Sequence, residues 1–452
     1  MSRSSVTEDM ETKEMKNTTL LTHFPAFHFQ KTEEDPRFRF NSSTCNVEEW
    51  NRVQTNSIPN MEYYDQLVKE KVTRFDYLFN TSPSPFSAFA YDDHIAVILT
   101  SERNFSHTVT CRYYDCKKNE IMDPFESRIF PSSTVYCPRR IGAEYISISN
   151  FADGPVEFPV PIVPRVMKKP KHYLSVCMST LYGDEPKFLQ ISDFIEYYRF
   201  QGATFFTMYV RNVSEYDRFL LDDYVRTGDV ELVKMHDHYW RADFMWHRVQ
   251  INECHHRSIN FAKWTAFVDI DEKIEMETTQ FPKLVNFLDV VDPDVSTLHF
   301  KIKWIIKDKP SPAKYINDQQ LVAEMIFRKY TNTSTKLDTW MQPKCVVRPE
   351  KIAIMSIHDP IATFRSSQYS MVNEKVAVVR HYRNTFDNFF FEQVDRMMVH
   401  GPFKTTKIDQ YTSDYLTKQI IDRVKYVYDI PKVSCQQKLK FYEHEKTDLK
   451  CE

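Results

Sequence analysis

Two aspartates one residue apart, Asp269 and Asp271, followed by Glu272, end an apolar run in KWTAFVDIDEKIEM, residues 263–276. Carboxylate oxygens are hard ligands suited to Mg²⁺ or Mn²⁺, and those ions also bind phosphate oxygens. A divalent ion held there would neutralise a nucleotide diphosphate and act as a Lewis acid as it departs. D-x-D alone is a weak signal, because such pairs are common on solvated surfaces. A calcium loop is disfavoured, since no D-x-D-x-D-G ladder follows. Position gives the pair its weight. Thr265–Val268 reads as a buried strand, and where the backbone bends at its end both carboxylates can approach one ion.

Three strand–helix units precede that strand. Segments 173–181, 203–210, 230–236 and 265–271 read as apolar strands, and 186–202, 214–228 and 247–264 as helices. In the first helix Phe188, Ile191, Ile195 and Tyr198 share a face, and Gly202 and Gly228 stand as stops. This alternation predicts an α/β fold with right-handed crossovers and a mostly parallel central sheet covered on both faces. Ligands bind outside the carboxyl ends of the strands in such sheets, which is where the aspartates fall. Segments 296–306, 321–330, 344–358 and 375–383 read as further strands, and 388–401 and 413–430 as helices.

The N-terminal third differs. Residues 1–59 are polar with scattered aromatics and read as a loosely ordered lead-in, and 60–78 as a helix. Short β-branched and aromatic runs over 86–151 predict a small β-sheet. Pro155, Pro159, Pro161, Pro164 and Pro170 predict a stiff connector. The expected organisation is a lead-in (1–59), a β-rich accessory module (60–154), a Pro-rich linker (155–171), a catalytic α/β domain (172–435) and a tail (436–452).

Composition narrows the chemistry. With 452 residues, 42% of them hydrophobic, the chain can build two or three domains. A net charge of −3 gives no basic field for nucleic acid. Six glycines leave no GxGxxG and no GxxxxGK[ST], so a diphosphate would have to be held by a metal and side chains. Nine cysteines show no zinc-finger spacing, and Cys111, Cys116 and Cys137 lie close enough in sequence to form disulfides or to stay free. N-x-S/T occurs at Asn17, Asn41, Asn80, Asn104, Asn212 and Asn332, which leans toward the secretory pathway. No run of about 18 apolar residues and no signal-peptide core is visible.

Five ordered segments carry a family resemblance. YLSVCMSTLYGDEPKFLQISDFIEYYRFQGATFFTMYV, DDYVRTGDVELV, QINECHHRSINFAKWTAFVDIDEKI, KCVVRPEKIAIMSIHDP and VVRHYR resemble glycosyltransferase family 92, the DUF23 group abundant in nematodes. The resemblance implies a GT-A fold, an inverting mechanism, a divalent metal (usually Mn²⁺) and a UDP-sugar donor. Characterised members transfer galactose from UDP-galactose in β-1,4 linkage to glycan acceptors, some onto core fucose of N-glycans. Members are typically type II Golgi membrane proteins. This sequence departs in showing no anchor and in carrying Lys273 where an aromatic or apolar residue often follows DIDE.

Carried onto this chain, the resemblance gives Asp271 to the metal, Asp269 to the metal or the ribose, and His381 of RHYR to the metal or diphosphate, with His358 competing. Arg383 or Arg380 would meet the diphosphate. Glu185, after the first strand, and Gln250, Asn252 and Arg257, on the helix before D-x-D, would line the nucleotide pocket. Glu324 and Asp338 are the candidates for the base that takes the acceptor proton. Trp304 and Trp340 are candidates to stack on sugar faces. Two rival readings stay open: a non-catalytic carbohydrate- or nucleotide-sugar-binding protein on the same fold, and a haloacid-type phosphatase. The phosphatase also places D-x-D after an apolar strand, but on its domain's first strand and with Thr or Val where Lys273 stands.

Overall fold

The structure is a computed structural model that describes residues 10–11, 20–21, 45–59, 64, 84–100, 107–156, 158–237, 242–338, 343–364, 367–386 and 391–429. From residue 172 the expected alternation is present: β1 (His172–Leu181), α1 (Phe188–Phe200), β2 (Phe205–Val210), α2 (Glu215–Arg226), β3 (Val230–Lys234), α3 (Trp246–Ser258) and β4 (Ala262–Val268). After them come β5 (Glu272–Met276), β6 (Val295–Phe300), β7 (Ile302–Lys307), β8 (Lys344–Val347) and β9 (Ala377–Asn384).

The principal sheet begins at one edge with the parallel run β3-β2-β1-β4. Its interior strands β1, β2 and β4 are mostly buried because elements pack on both faces. Val176 and Met178 of β1 pack in the core that contains Phe188, Ile191 and Phe194 of α1. Cys177, between them, points to the opposite core with Trp246 and Val249 of α3. The sheet is mixed, however. β8 enters antiparallel beside β4, β6 runs antiparallel to β8, and Gln368–Val372 follows parallel to β6.

Local chemistry sets the helix ends. Asp217 Oδ1 accepts from the amides of Lys187 and Phe188, at 2.9 and 2.7 Å, so a residue of α2 caps α1. Gly202 ends α1 with φ +97°, and a Cβ there would lie 2.5 Å from the Val285 side chain.

Three sequence expectations change. The run 296–306 breaks at Lys301 into β6 and β7, which belong to different sheets. The run 344–358 breaks at Pro349, which opens a single 3₁₀ turn before Ile352–Met355. Residues 321–330 are not a strand but lie in two short helices, Asp318–Glu324 and Ile326–Lys329. The Asn317 side chain accepts from the Gln320 amide and caps the first of them, and this local start signal outweighs the strand-like apolar run.

A seven-stranded sheet spans Pro85–Ala90 to Val160–Pro164, matching the β-rich character expected there. A bridge between Ile129 and Val135 brings its two edge strands together. The predicted linker is not all connector, because Val160–Pro164 is an interior strand between Tyr145–Ser149 and Pro85–Ala90. Ile162, next to Pro161, supplies an amide that is donated to Glu144 O at 2.9 Å. Disulfides join Cys45–Cys116 and Cys111–Cys137 in this region, and Cys177–Cys254 ties β1 to α3. The sheet docks on α3, where Tyr91 Oη donates to His256 O (2.8 Å) and Arg165 Nε to Arg257 O (2.6 Å).

The helix expected over 60–78, Tyr64 apart, and the tail 436–452 lie outside the described residues. Among the described residues no helix is long and apolar enough to cross a membrane.

Candidate metal and catalytic site

β4 ends at Val268, and a tight turn follows in which the Glu272 amide donates to Asp269 O at 3.0 Å. Glu272 Oε2 accepts from the Asp269 amide at 2.9 Å and clamps the same turn from its other side. The turn sends the aspartates to different partners. Asp269 Oδ2 accepts from Lys344 Nζ at 2.8 Å, at the start of β8, and Asp269 Oδ1 lies 3.8 Å from His247 Nε2 on α3. Asp271 faces β9 instead, with Oδ2 at 3.3 Å from His381 Nε2.

A second sheet makes this arrangement. In it β5 pairs antiparallel with β9, and β9 pairs parallel with β7. The register sets Glu272 opposite His381 and His381 opposite Trp304, so the three residues form one row. His381 Nδ1 lies 3.2 Å from Glu272 Oε1, and the Trp304 ring stacks on the imidazole with centroids 4.7 Å apart. The Tyr382 amide donates to Asp271 O at 2.9 Å and fixes the turn to β9.

Asp271, Glu272 and His381 can each offer a ligand atom within 4.8 Å of the others. Glu272 and His381 are buried, while Asp271 keeps about a quarter of its side chain exposed, so the group opens to solvent on one side. Glu272 Oε1 and both ring nitrogens of His381 are buried without a hydrogen bond among the described residues, although the ion-pair distances are short. Close approach without hydrogen-bond geometry, on two carboxylates and an imidazole, fits a shared divalent cation.

The electrostatics are those of an acid cluster with too few cations. Burial pushes Glu272 up to about 7, opposed by Lys344 and reinforced by Asp269. Burial also disfavours ionised Asp271, but His381 outweighs it and holds that carboxyl below its usual range. For Asp269 burial is overcome by Lys344 and then His247, and it stays ionised. Burial would lower His381, yet Asp271 and Glu272 raise it.

The remaining expected residues divide. Arg383, two residues beyond His381 on β9, helps to hold Asp271 ionised. Tyr182, after β1 and not singled out from the sequence, is 38% exposed and feels the charges of Asp269, Arg383, Asp243 and Asp271. His358 stands near Lys344 and Asp269, with burial first and Lys344 next pushing it down to about 3. Glu185 sits at the ends of β7 and β9, accepting from Lys307 Nζ at 2.6 Å and Asn384 Nδ2 at 3.3 Å. Gln250 is fully buried, and neither of its amide atoms has a partner among the described residues.

Others have partners away from the carboxylates. Asn252 donates to Thr134 Oγ1 of the seven-stranded sheet at 3.0 Å. Arg257 pairs with Glu253 and with Glu231, the latter at 2.6 Å. Arg380 pairs with Glu275 at 3.1 Å. Glu324 pairs with Lys329. Asp338 forms a backbone bridge with Ile302, two residues before Trp304, and its carboxylate lies 3.5 Å from His400. Trp304 packs on His381, and Trp340 lies outside the described residues.

Sequence reasoning missed Glu272 as a partner of His381, and it missed Lys344 and His247. The acidic residue next to D-x-D was a visible signal for Glu272. Lys344 opens an apolar strand, but nothing local says that β8 runs antiparallel against β4 and delivers its ammonium to Asp269.

Residues 172–421 match the profile of glycosyltransferase family 92. No curated protein matches the chain. Similar solved structures include S. aureus TarS 1-349, at 12% identity over 60% of this chain and 78% of that one, with a TM-score of 0.26. They also include TarS 1-349 with UDP-GlcNAc, at 12% identity over 60% and 79%, TM-score 0.27. A mycobacterial protein is similar at 11% identity over 58% and 76%, TM-score 0.23.

Proposed function

The chain belongs to glycosyltransferase family 92, and we propose that it is a metal-dependent, inverting galactosyltransferase that uses UDP-galactose and a glycan acceptor. Membership sets aside the phosphatase reading. The observation that carries the proposal is the convergence of Asp271, Glu272 and His381 at the carboxyl end of β4, beside Arg383.

Asp271, Glu272 and His381 would hold a divalent cation such as Mn²⁺, whose chemistry when bound is neutralisation of the diphosphate leaving group. Arg383 adds a fixed positive charge to the same oxygens. Asp269, held ionised by Lys344, would accept a ribose hydroxyl. Tyr182, after β1, receives the base at the open end. Of the two carboxylates expected as general base, Asp338 is favoured because its bridged partner Ile302 lies two residues before Trp304 on the same strand.

Three disulfides support an oxidising compartment, and Asn212 and Asn332 of the N-x-S/T sites are exposed. The compartment proposed is the Golgi. The test is a screen of UDP-sugars with Mn²⁺ on the unaltered protein and on Asp271→Ala. UDP-galactose turnover, lost in Asp271→Ala and with chelator, is expected. Unchanged turnover in Asp271→Ala would refute the metal role, a different preferred sugar would refute galactose, and binding without transfer would favour the non-catalytic alternative.

A further inference from the structure

β5, which begins at Glu272, is one of the two edge strands of its sheet. On the side away from β9 no strand among the described residues completes its ladder, and buried backbone groups there need partners. Helix α1 supplies them with side chains. Tyr198 Oη donates to the Glu272 carbonyl at 3.2 Å and accepts from the Ile274 amide at 3.3 Å, as a neighbouring strand would. Tyr197 Oη donates to Ile274 O at 2.9 Å, two residues beyond the Glu272 carbonyl. Asp193, on the same helix, pairs with Lys273. All three side chains of α1 are buried.

We propose that Tyr198 is a positioning residue for the cation site: its hydroxyl fixes the Glu272 peptide and thereby the carboxylate that meets His381 and Lys344. The inference rests on the metal reading of that cluster. Glu272 has one covalent neighbour in the turn and one in β5. The turn side is held by the Asp269 clamp, and the strand side by the Tyr198 hydroxyl. Releasing the second loosens the strand side of that peptide, and the carboxylate is then held by the Asp269 amide and Lys344 while the fold persists.

The test measures Mn²⁺ binding directly, from the free-ion electron paramagnetic resonance signal, with Mn²⁺ alone as the probe. Tyr198→Phe is expected to weaken Mn²⁺ binding by about tenfold, the lower end of what loss of an outer-shell partner does. Tyr197→Phe is the control: it loses a hydroxyl from the same helix and strand, lowers stability comparably, and leaves Mn²⁺ binding unchanged. Equal effects of both variants, or none from Tyr198→Phe, would overturn the inference and leave the metal reading standing. No Mn²⁺ binding by the unaltered protein would overturn the metal reading, and this inference with it. Hydrogen exchange of the Ile274 amide in the unaltered protein covers the case in which Tyr198→Phe fails to fold. By reciprocity Mn²⁺ should slow that exchange, and an unchanged rate overturns the link.

Discussion

Trp304 lies against His381, ring centroids 4.7 Å apart and planes inclined by 28°, on adjacent parallel strands in register. A stacked indole restricts rotation of the imidazole, which has no hydrogen bond of its own to fix it among the described residues. Trp304 is therefore expected to orient His381 rather than to stack on a sugar. Trp304→Ala should weaken Mn²⁺ binding and lower kcat/KM by roughly 10- to 100-fold, while Trp304→Phe keeps most of both. A Trp304→Ala enzyme that binds Mn²⁺ normally but shows a raised KM for acceptor would return the residue to sugar binding.

Lys344 is the buried countercharge of the site, 2.8 Å from Asp269 and 3.3 Å from Glu272. Lys344→Met leaves two carboxylates without it. Breaking a buried pair typically costs about 3–5 kcal/mol, so the metal-free variant should melt well below the unaltered protein. A cation bound at the adjacent cluster restores part of the missing charge. Mn²⁺ should therefore raise the melting temperature of Lys344→Met by more than it raises that of the unaltered protein. Equal shifts would separate Lys344 from the cation site.

The sequence made the parallel core legible because periodicity and stops acted locally: Gly202 and Gly228, apolar strands, and a helix face on Phe188, Ile191 and Ile195. It marked Asp269 and Asp271 for the same reason, since a strand end is a local event. It could not show that the two aspartates part company, because that depends on β8 and β9 arriving from residues 344 and 381. The partners of Asn252 and Arg257 were hidden from the sequence in a related way. Both lie on the predicted helix, but the face they occupy is taken by the β-rich sheet and by Glu231. Such contacts are long-range, and one sequence carries no local mark of them.

Three buried histidines are expected to weaken the fold in acid. Burial pushes His255 and His299 each down to about 4, and His256 well below its usual value. Their folded pKa values lie below the unfolded value of about 6.5, so below that pH the unfolded chain binds more protons. Their contribution is complete above about pH 6.5 and is lost as pH falls toward 4. For His255 the loss is about 3 kcal/mol at the acid end. Melting temperature should fall steeply between pH 7 and 5, and His255→Gln should flatten that slope. An unchanged slope would mean that His255 takes up its proton without unfolding.

Lys273, read from the sequence as a departure from the family pattern, has a buried partner. Its ammonium pairs with Asp193 of α1, both side chains only 2% exposed, and faces the rings of Tyr197, Phe327 and Tyr382 at 5.1–5.6 Å. An aromatic or apolar residue at this position would leave Asp193 as an uncompensated charge. The pair therefore stands or falls together. Lys273→Met alone and Asp193→Leu alone should each destabilise by about 3–5 kcal/mol, whereas the double variant should recover most of the loss because both ions leave together. Chemical denaturation of the four proteins measures the coupling. Additive losses would mean that the two charges are held independently, and that Lys273 is kept in the core by the three rings rather than by Asp193.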